Sequence, residues 1–137
     1  MIYSVLWGNQ NTASTRLRIL NIAHLIKDYM IGVPENYEKG DVVIIQKKAD
    51  LAELEKAHKE GAKVVYDIDD FYWDRPEYLK MVQQADLVTT DTEEKARVLK
   101  YDNKNVVVIP DSLDWDGTVK KETKGNVIGW TGYGNNS

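Results

Sequence analysis

Four aspartates crowd into one short segment directly after an apolar run. In VVYDIDDFYWD, residues 64–74, the acids are Asp67, Asp69, Asp70 and Asp74. Carboxylates at such short spacing repel one another, and they are typical of a site that uses them as a base, an acid or hydrogen-bond acceptors. An ordinary loop, in which one aspartate caps a turn and the others are solvated, explains the pattern equally well.

The elements that must position these acids follow an alternating pattern. Short β-type apolar runs alternate with amphipathic stretches, which predicts βαβ units around a parallel sheet. Near-continuous Val and Ile is typical of strands that are covered on both faces. The fold expected is therefore α/β: a Rossmann-like, mainly parallel sheet with helices on both faces. Predicted strands span residues 2–7, 41–46, 63–68, 86–90 and 105–110, and predicted helices span 13–30, 50–60, 76–85 and 92–100.

In an open parallel sheet, ligands bind beyond the carboxyl ends of the strands, where these acids fall. The loop after the first strand leads into a helix and contains Ser14 and Arg16, which suit an anion or a sugar hydroxyl. The alternative is an ordinary helix start with Arg16 and Arg18 on the surface. Lys47 and Thr92 follow two other predicted strands and belong to the same end of the sheet.

The composition excludes several classes of protein. The chain has 137 residues and no cysteine, so it forms neither disulfides nor thiolate metal sites, which fits a reducing, cytoplasmic location. A formal net charge of −4 gives no overall attraction to nucleic acid. No apolar run approaches the roughly 20 residues of a membrane span. The histidines His24 and His58 show no ligand spacing, so no metal site is predicted.

The last part of the chain differs from the rest. Residues 111–125 are polar and turn-rich, which is typical of a linker, and residues 126–130 form one more strand-like piece. The glycines Gly129 and Gly132 in the turn that follows permit close approach of backbone amides to a diphosphate. Their spacing is not the dinucleotide-binding fingerprint, and an ordinary chain terminus is the alternative.

Taken in order, these segments resemble the amino-terminal half of a GT-B glycosyltransferase of the group 1 type, in particular its phage and bacterial members. The resemblance is carried by STRLRILNIAHLIKD, GDVVIIQKK, EGAKVVYDIDDFYWD, ADLVTTDTEEKARVL, NVVVIPDSLDWD and NVIGWTGYG. It implies an acceptor-side Rossmann-like domain at 1–110, a linker at 111–125 and the start of a truncated donor-binding domain at 126–137.

The function that this resemblance implies is sugar transfer from a nucleotide-diphosphate sugar to an acceptor hydroxyl. The donor is a co-substrate, and neither a cofactor nor a metal is expected. Asp69 and Asp70 are the implied catalytic candidates, and Gly129 and Gly132 would approach the donor phosphates. The residues assigned to the acceptor-side cleft are Ser14, Arg16, Lys47, Asp67 and Thr92.

The chain departs from the family pattern in two places. Asp111-Ser112 follows VIP where the family commonly has Asn-Gly. If the resemblance holds, the chain would contain only the start of the donor-binding domain, so the isolated chain is expected to be inactive. The strand at 126–131 would then lack its own sheet and is expected to be poorly ordered, or to pair with an edge of the first domain or of a neighbouring molecule.

The sequence allows two other interpretations of the function. VVYDIDDF is similar to the hydrophobic strand and D-x-D motif of haloacid-dehalogenase-like phosphatases, with Asp67 as nucleophile and Asp69 as acid/base. In that interpretation, Thr89 or Thr90 would bind phosphate, and Asp111 and Asp114 would bind magnesium. Against it, Asp70-Phe71-Tyr72 replaces the usual glycine and threonine. The other reading is a non-catalytic Rossmann-like binding domain.

Overall fold

The structure is a computed structural model that describes residues 1–70 and 75–111. Asp74, Asp114, Gly129, Gly132, the terminal segment 126–137 and the predicted linker beyond Asp111 lie outside the described residues. The strands are β1 (Ile2–Val5), β2 (Tyr29–Ile31), β3 (Val42–Gln46), β4 (Lys63–Asp67), β5 (Leu87–Thr90) and β6 (Val106–Val108). They form a parallel sheet in the spatial order β2-β1-β3-β4-β5-β6, which confirms the predicted α/β, Rossmann-like class.

Local sequence signals explain where the helices begin and end. Helix α1 covers residues 13–23 and contains a π-helical segment at Arg16–Leu20, and the later helices are α2 (Leu51–Glu60), α3 (Pro76–Gln84) and α4 (Glu93–Leu99). Asp50 caps α2 by accepting a hydrogen bond from the Glu53 amide at 3.3 Å. Gly61, with φ of +87°, ends α2 in the left-handed conformation that glycine adopts without strain.

The core lies between one face of the sheet and helices α2, α3 and α4. Alternate residues of the central strands point to this face because side chains alternate along a strand. The fully buried core side chains include Val43, Ile45, Val64, Tyr66, Leu54, Met81 and Leu99. The other face receives α1, whose Thr15 and Arg18 bond to Gln46 and Asp67. The prediction of helices on both faces is confirmed.

The predicted helix at 13–30 is wrong beyond residue 23. Asp28 has φ of +60°, and the next three residues form β2 at the edge of the sheet. Tyr29 pairs with Ile2 and Ile31 pairs with Ser4, so strand pairing satisfies backbone groups that a longer helix would otherwise satisfy. The apolar residues that suggested a longer helical face, such as Ile26 and Met30, are exposed.

No helix within the described ranges is long and apolar enough to cross a membrane.

Candidate functional site

The strand order changes direction at β1. The chain runs from β1 outward to β2, and then returns to place β3 on the other side of β1. At such a switch point the loops that follow the two adjacent strands diverge, and a crevice opens beyond the carboxyl ends of those strands. Here Leu6 after β1 and Lys48 after β3 line the same shallow cavity.

Gln46, at the end of β3, ties the loop after β1 to the sheet. Its buried side chain accepts hydrogen bonds from Thr15 Oγ1 at 3.0 Å and from the Trp7 amide at 3.4 Å. It also donates from Nε2 to the carbonyl of Ser14 at 2.9 Å. Thr15 Oγ1 accepts in turn from the Gly8 amide at 3.2 Å. Ser14, a predicted cleft residue, therefore takes part in this network through its backbone.

Arg16, another predicted cleft residue, holds the same loop. Its Nη1 donates to the carbonyl of Gln10 at 3.2 Å. The loop also requires glycine at position 8, because a Cβ there would lie 2.2 Å from Thr12 Oγ1. These contacts fix the conformation of the loop after β1.

Lys47 brings the two predicted catalytic acids together. It follows β3 in a left-handed conformation, with φ of +54°. Its amide donates to the carbonyl of Asp67 at 2.8 Å, and its carbonyl accepts from the Tyr66 hydroxyl at 3.1 Å. Held in this way, its Nζ lies 2.8 Å from Asp69 Oδ1 and 2.7 Å from Asp70 Oδ2. The structure thus joins Lys47, Asp69 and Asp70 beyond the ends of β3 and β4.

The two acids differ in their access to solvent. The side chains of Lys47 and Asp69 are 9% and 11% exposed, whereas that of Asp70 is 50% exposed. Asp69 Oδ1 is buried, and its contact with Lys47 is an ion pair without the alignment of a hydrogen bond. Asp69 therefore mainly neutralises Lys47, and Asp70 is the carboxylate that a ligand can reach.

Asp67, also predicted for the cleft, is instead held in a buried ion pair with Arg18. Arg18 donates from Nε to Asp67 Oδ2 at 2.9 Å and from Nη2 to Asp67 Oδ1 at 2.6 Å. Thr89 Oγ1 donates to the same carboxylate at 2.7 Å. Arg18 Nη1 reaches the Ile109 carbonyl and Asp111 Oδ1, both at 2.9 Å. Asp67 and Arg18 thus link α1, β4, β5 and the segment that follows β6.

Arg18 remains charged in this setting. Burial disfavours its charged form, but the hydrogen bonds and charges of Asp67 and Asp111 outweigh burial and raise the pKa of Arg18. This role of Arg18 was not predicted from its sequence position, where it was expected only as a surface residue of the helix. The helical spacing of Thr15, Arg18, Ile19 and Ile22 could have shown that Arg18 faces the sheet.

A second lysine, also not predicted from the sequence, approaches the Asp69–Asp70 loop from α4, the helix that follows β5. Lys95 Nζ donates to both oxygens of Asp91, at 2.7 and 2.8 Å, and to the carbonyl of Asp69. Burial disfavours ionisation of Asp91, but Lys95 outweighs burial and lowers the pKa of Asp91. Thr92, predicted to line the cleft, caps α4 by accepting from the Lys95 amide at 3.4 Å.

Two cavities border this end of the sheet. A shallow one of about 410 Å³ lies beside the switch point and is lined by Leu6, Ile31 and Lys48 among others. A mainly apolar one of about 230 Å³ lies between α1 and the sheet, next to Arg18 and Asp67. Within residues 1–70 and 75–111, no group of three or more His, Cys, Asp or Glu side chains is arranged to hold a metal ion.

Comparison of the chain with protein-family models, with curated proteins and with solved structures finds no match.

Proposed function

We propose that the chain forms the acceptor-side domain of a GT-B-type sugar transferase. In the complete gene product, a sugar would pass from a nucleotide-diphosphate sugar to an acceptor hydroxyl held at the Lys47–Asp69–Asp70 cluster. The observation that carries this proposal is the convergence of these three side chains at the carboxyl ends of β3 and β4, beside the switch-point crevice. The type of reaction, sugar transfer, is inferred from the sequence resemblance.

The geometry suggests a different role for each member of the cluster. An ionised carboxylate only accepts hydrogen bonds, so the half-exposed Asp70 is suited to orient an acceptor hydroxyl or to take its proton. Lys47 fixes the Asp70 carboxylate from one side, and Asp69 balances the charge of Lys47. The donor phosphates would be bound outside the described residues, where the resemblance points to Gly129 and Gly132.

The phosphatase reading fits the geometry less well. Its nucleophile would be Asp67, but both oxygens of that carboxylate are bound by Arg18, and one also accepts from Thr89. Its magnesium site would use Asp111, which is paired with Arg18. A nucleophile needs a free, accessible oxygen, so the arrangement favours a structural role for Asp67.

Amide substitution of the two acids tests the proposal. In the complete gene product, Asp70→Asn is expected to lower kcat about 10²-fold, the usual lower scale for loss of a general base. Asp69→Asn is expected to have a smaller effect because its side chain is mostly buried against Lys47. The measurement is sugar transfer from a panel of nucleotide-diphosphate sugars to hydroxyl acceptors, with Glu55→Gln on the exposed side of α2 as the control.

Full activity in both aspartate variants would show that the Lys47–Asp69–Asp70 cluster takes no part in catalysis. The 137-residue chain alone is expected to show no transfer. Robust transfer by this chain would overturn the two-domain account.

A further inference from the structure

The loop that carries Asp70 needs more than Lys47 to hold it. The Asp70 side chain is 50% exposed, and an ion pair at such a position contributes little to fixing a loop. The amide of Ile68 bonds to the Thr89 carbonyl at 2.9 Å, which continues the sheet pairing up to the residue before Asp69. Beyond Ile68, the described residues Asp69 and Asp70 are contacted by lysine side chains from neighbouring elements.

Lys95 reaches this loop from the side of β5. It is the third residue of α4, and its side chain is only 16% exposed. Both oxygens of Asp91, itself 19% exposed, hold its ammonium group, which therefore has a defined position. The same ammonium donates to the carbonyl of Asp69. Charge-assisted hydrogen bonds of this kind are stronger than neutral ones.

The Asp69 carbonyl has a direct mechanical link to Asp70. A peptide group is planar, so the carbonyl of Asp69 and the amide of Asp70 move as one unit. A hydrogen bond at this carbonyl therefore fixes the orientation of the Asp69–Asp70 peptide plane, and with it the position of the Asp70 backbone. Lys47 then holds the carboxylate at the other end of the same residue, 2.7 Å from Asp70 Oδ2.

We infer that Lys95 is a positioning residue of the acceptor site: by binding the Asp69 carbonyl it sets where the Asp70 carboxylate lies. The effect of Lys95 on catalysis rests on the proposed function. The placement of the loop itself is independent of any activity.

Nuclear magnetic resonance of the chain tests the placement directly. The amide nitrogen of Asp70 reports on the hydrogen bond at the Asp69 carbonyl, since both belong to one peptide group. In Lys95→Met this resonance is expected to shift, and Lys95→Arg is expected to restore it toward the wild-type position. Lys100→Met, an exposed change just after the same helix, is the matched control and should leave the resonance in place.

Kinetics of the complete gene product test the consequence. Misplacement of a catalytic group by about 1 Å can cost about 10²-fold in rate, so Lys95→Met is expected to lower kcat by about 10- to 10²-fold. The KM for the nucleotide sugar should stay unchanged, and Lys95→Arg should recover part of kcat.

The outcomes separate the two proposals. An Asp70 resonance that is unchanged in Lys95→Met, or a melting temperature that falls without such a shift, overturns the inference even if Asp70→Asn is inactive. A shifted resonance in a protein that transfers no sugar supports the positioning of the loop and refutes the proposed function.

Discussion

Charged side chains at the carboxyl end of the sheet have two kinds of role. Arg18 and Asp67 are 3% and 6% exposed and bind each other through two hydrogen-bonded atoms on each side. Asp70, by contrast, keeps half of its side chain exposed. Burial with full pairing is typical of a structural group, and partial exposure beside a fixed cation leaves room for a ligand.

The buried pair should matter strongly for stability. Arg18→Met leaves the Asp67 carboxylate buried without its cation, and removal of one partner of a buried ion pair costs about 3–5 kcal/mol. The free energy of unfolding in urea measures this loss, with Arg97→Met on the exposed side of α4 as the control. A loss below about 1 kcal/mol would contradict the structural role given to the pair.

The sequence predicted the placement of some of these side chains and missed that of others. Lys47, Asp69 and Asp70 follow two adjacent strands, so the rule for parallel sheets was enough to bring them together. Arg18 and Lys95 lie on helices, where a charged residue ordinarily faces solvent. For Arg18, the helical spacing with Thr15 and Ile19 indicates the inward direction. For Lys95, only the placement of α4 against the strand ends shows that the side chain turns inward.

Secondary-structure elements were predictable where burial is strong. The runs that became β3 and β4 are rich in Val and Ile because their central residues are buried on one face of the sheet and partly buried on the other. β2 has only three residues, and Met30 and Ile31 are exposed at the sheet edge, so no burial pattern marks it. The π-helical segment at Arg16–Leu20 likewise has no pattern that departs from ordinary helical spacing.

The conformation of Gly61 at the end of α2 can be tested by substitution. Gly61→Ala is expected to lower the free energy of unfolding by about 1–2 kcal/mol, because φ of +87° strains any residue with a Cβ. The nearest atoms to the added Cβ are 3.7 Å away, so the loss comes from the backbone and not from a clash. Gly61→Asn should lose less, because asparagine tolerates the left-handed conformation better. Equal losses for both variants would contradict this explanation.

The molecule as a whole places its ion pairs at both ends of the sheet. At the amino end, Asp86 accepts hydrogen bonds from Lys63 Nζ at 2.7 Å and from the Val64 amide at 2.9 Å, and His58 Nε2 lies 2.9 Å from the same carboxyl. Burial disfavours ionisation of Asp86, but these partners outweigh burial and lower its pKa to about 2. This carboxylate joins α2, β4 and the start of β5.

Stability should therefore depend on pH through Asp86. Because its pKa is lower in the folded state than its ordinary value of 3.8, its contribution is present above about pH 4 and is lost as the pH falls toward 2. The free energies of unfolding in urea of the wild type and of Asp86→Asn should differ most near pH 6.5. The difference should shrink at pH 2.5, and a difference that stays constant across this range would exclude the carboxylate's charge as its cause.

The interior position of β1, between β2 and β3, also has a consequence for synthesis on the ribosome. β1 ends at Val5, yet its neighbours in the sheet end only at Ile31 and Gln46. At about 5–20 residues per second, the first strand waits roughly 2–8 s before its inner partner has been translated. During that interval its apolar side chains lack their pairing with β3, so a nascent chain whose Gln46 has not yet left the ribosome is the one that a chaperone at the tunnel exit would most readily bind.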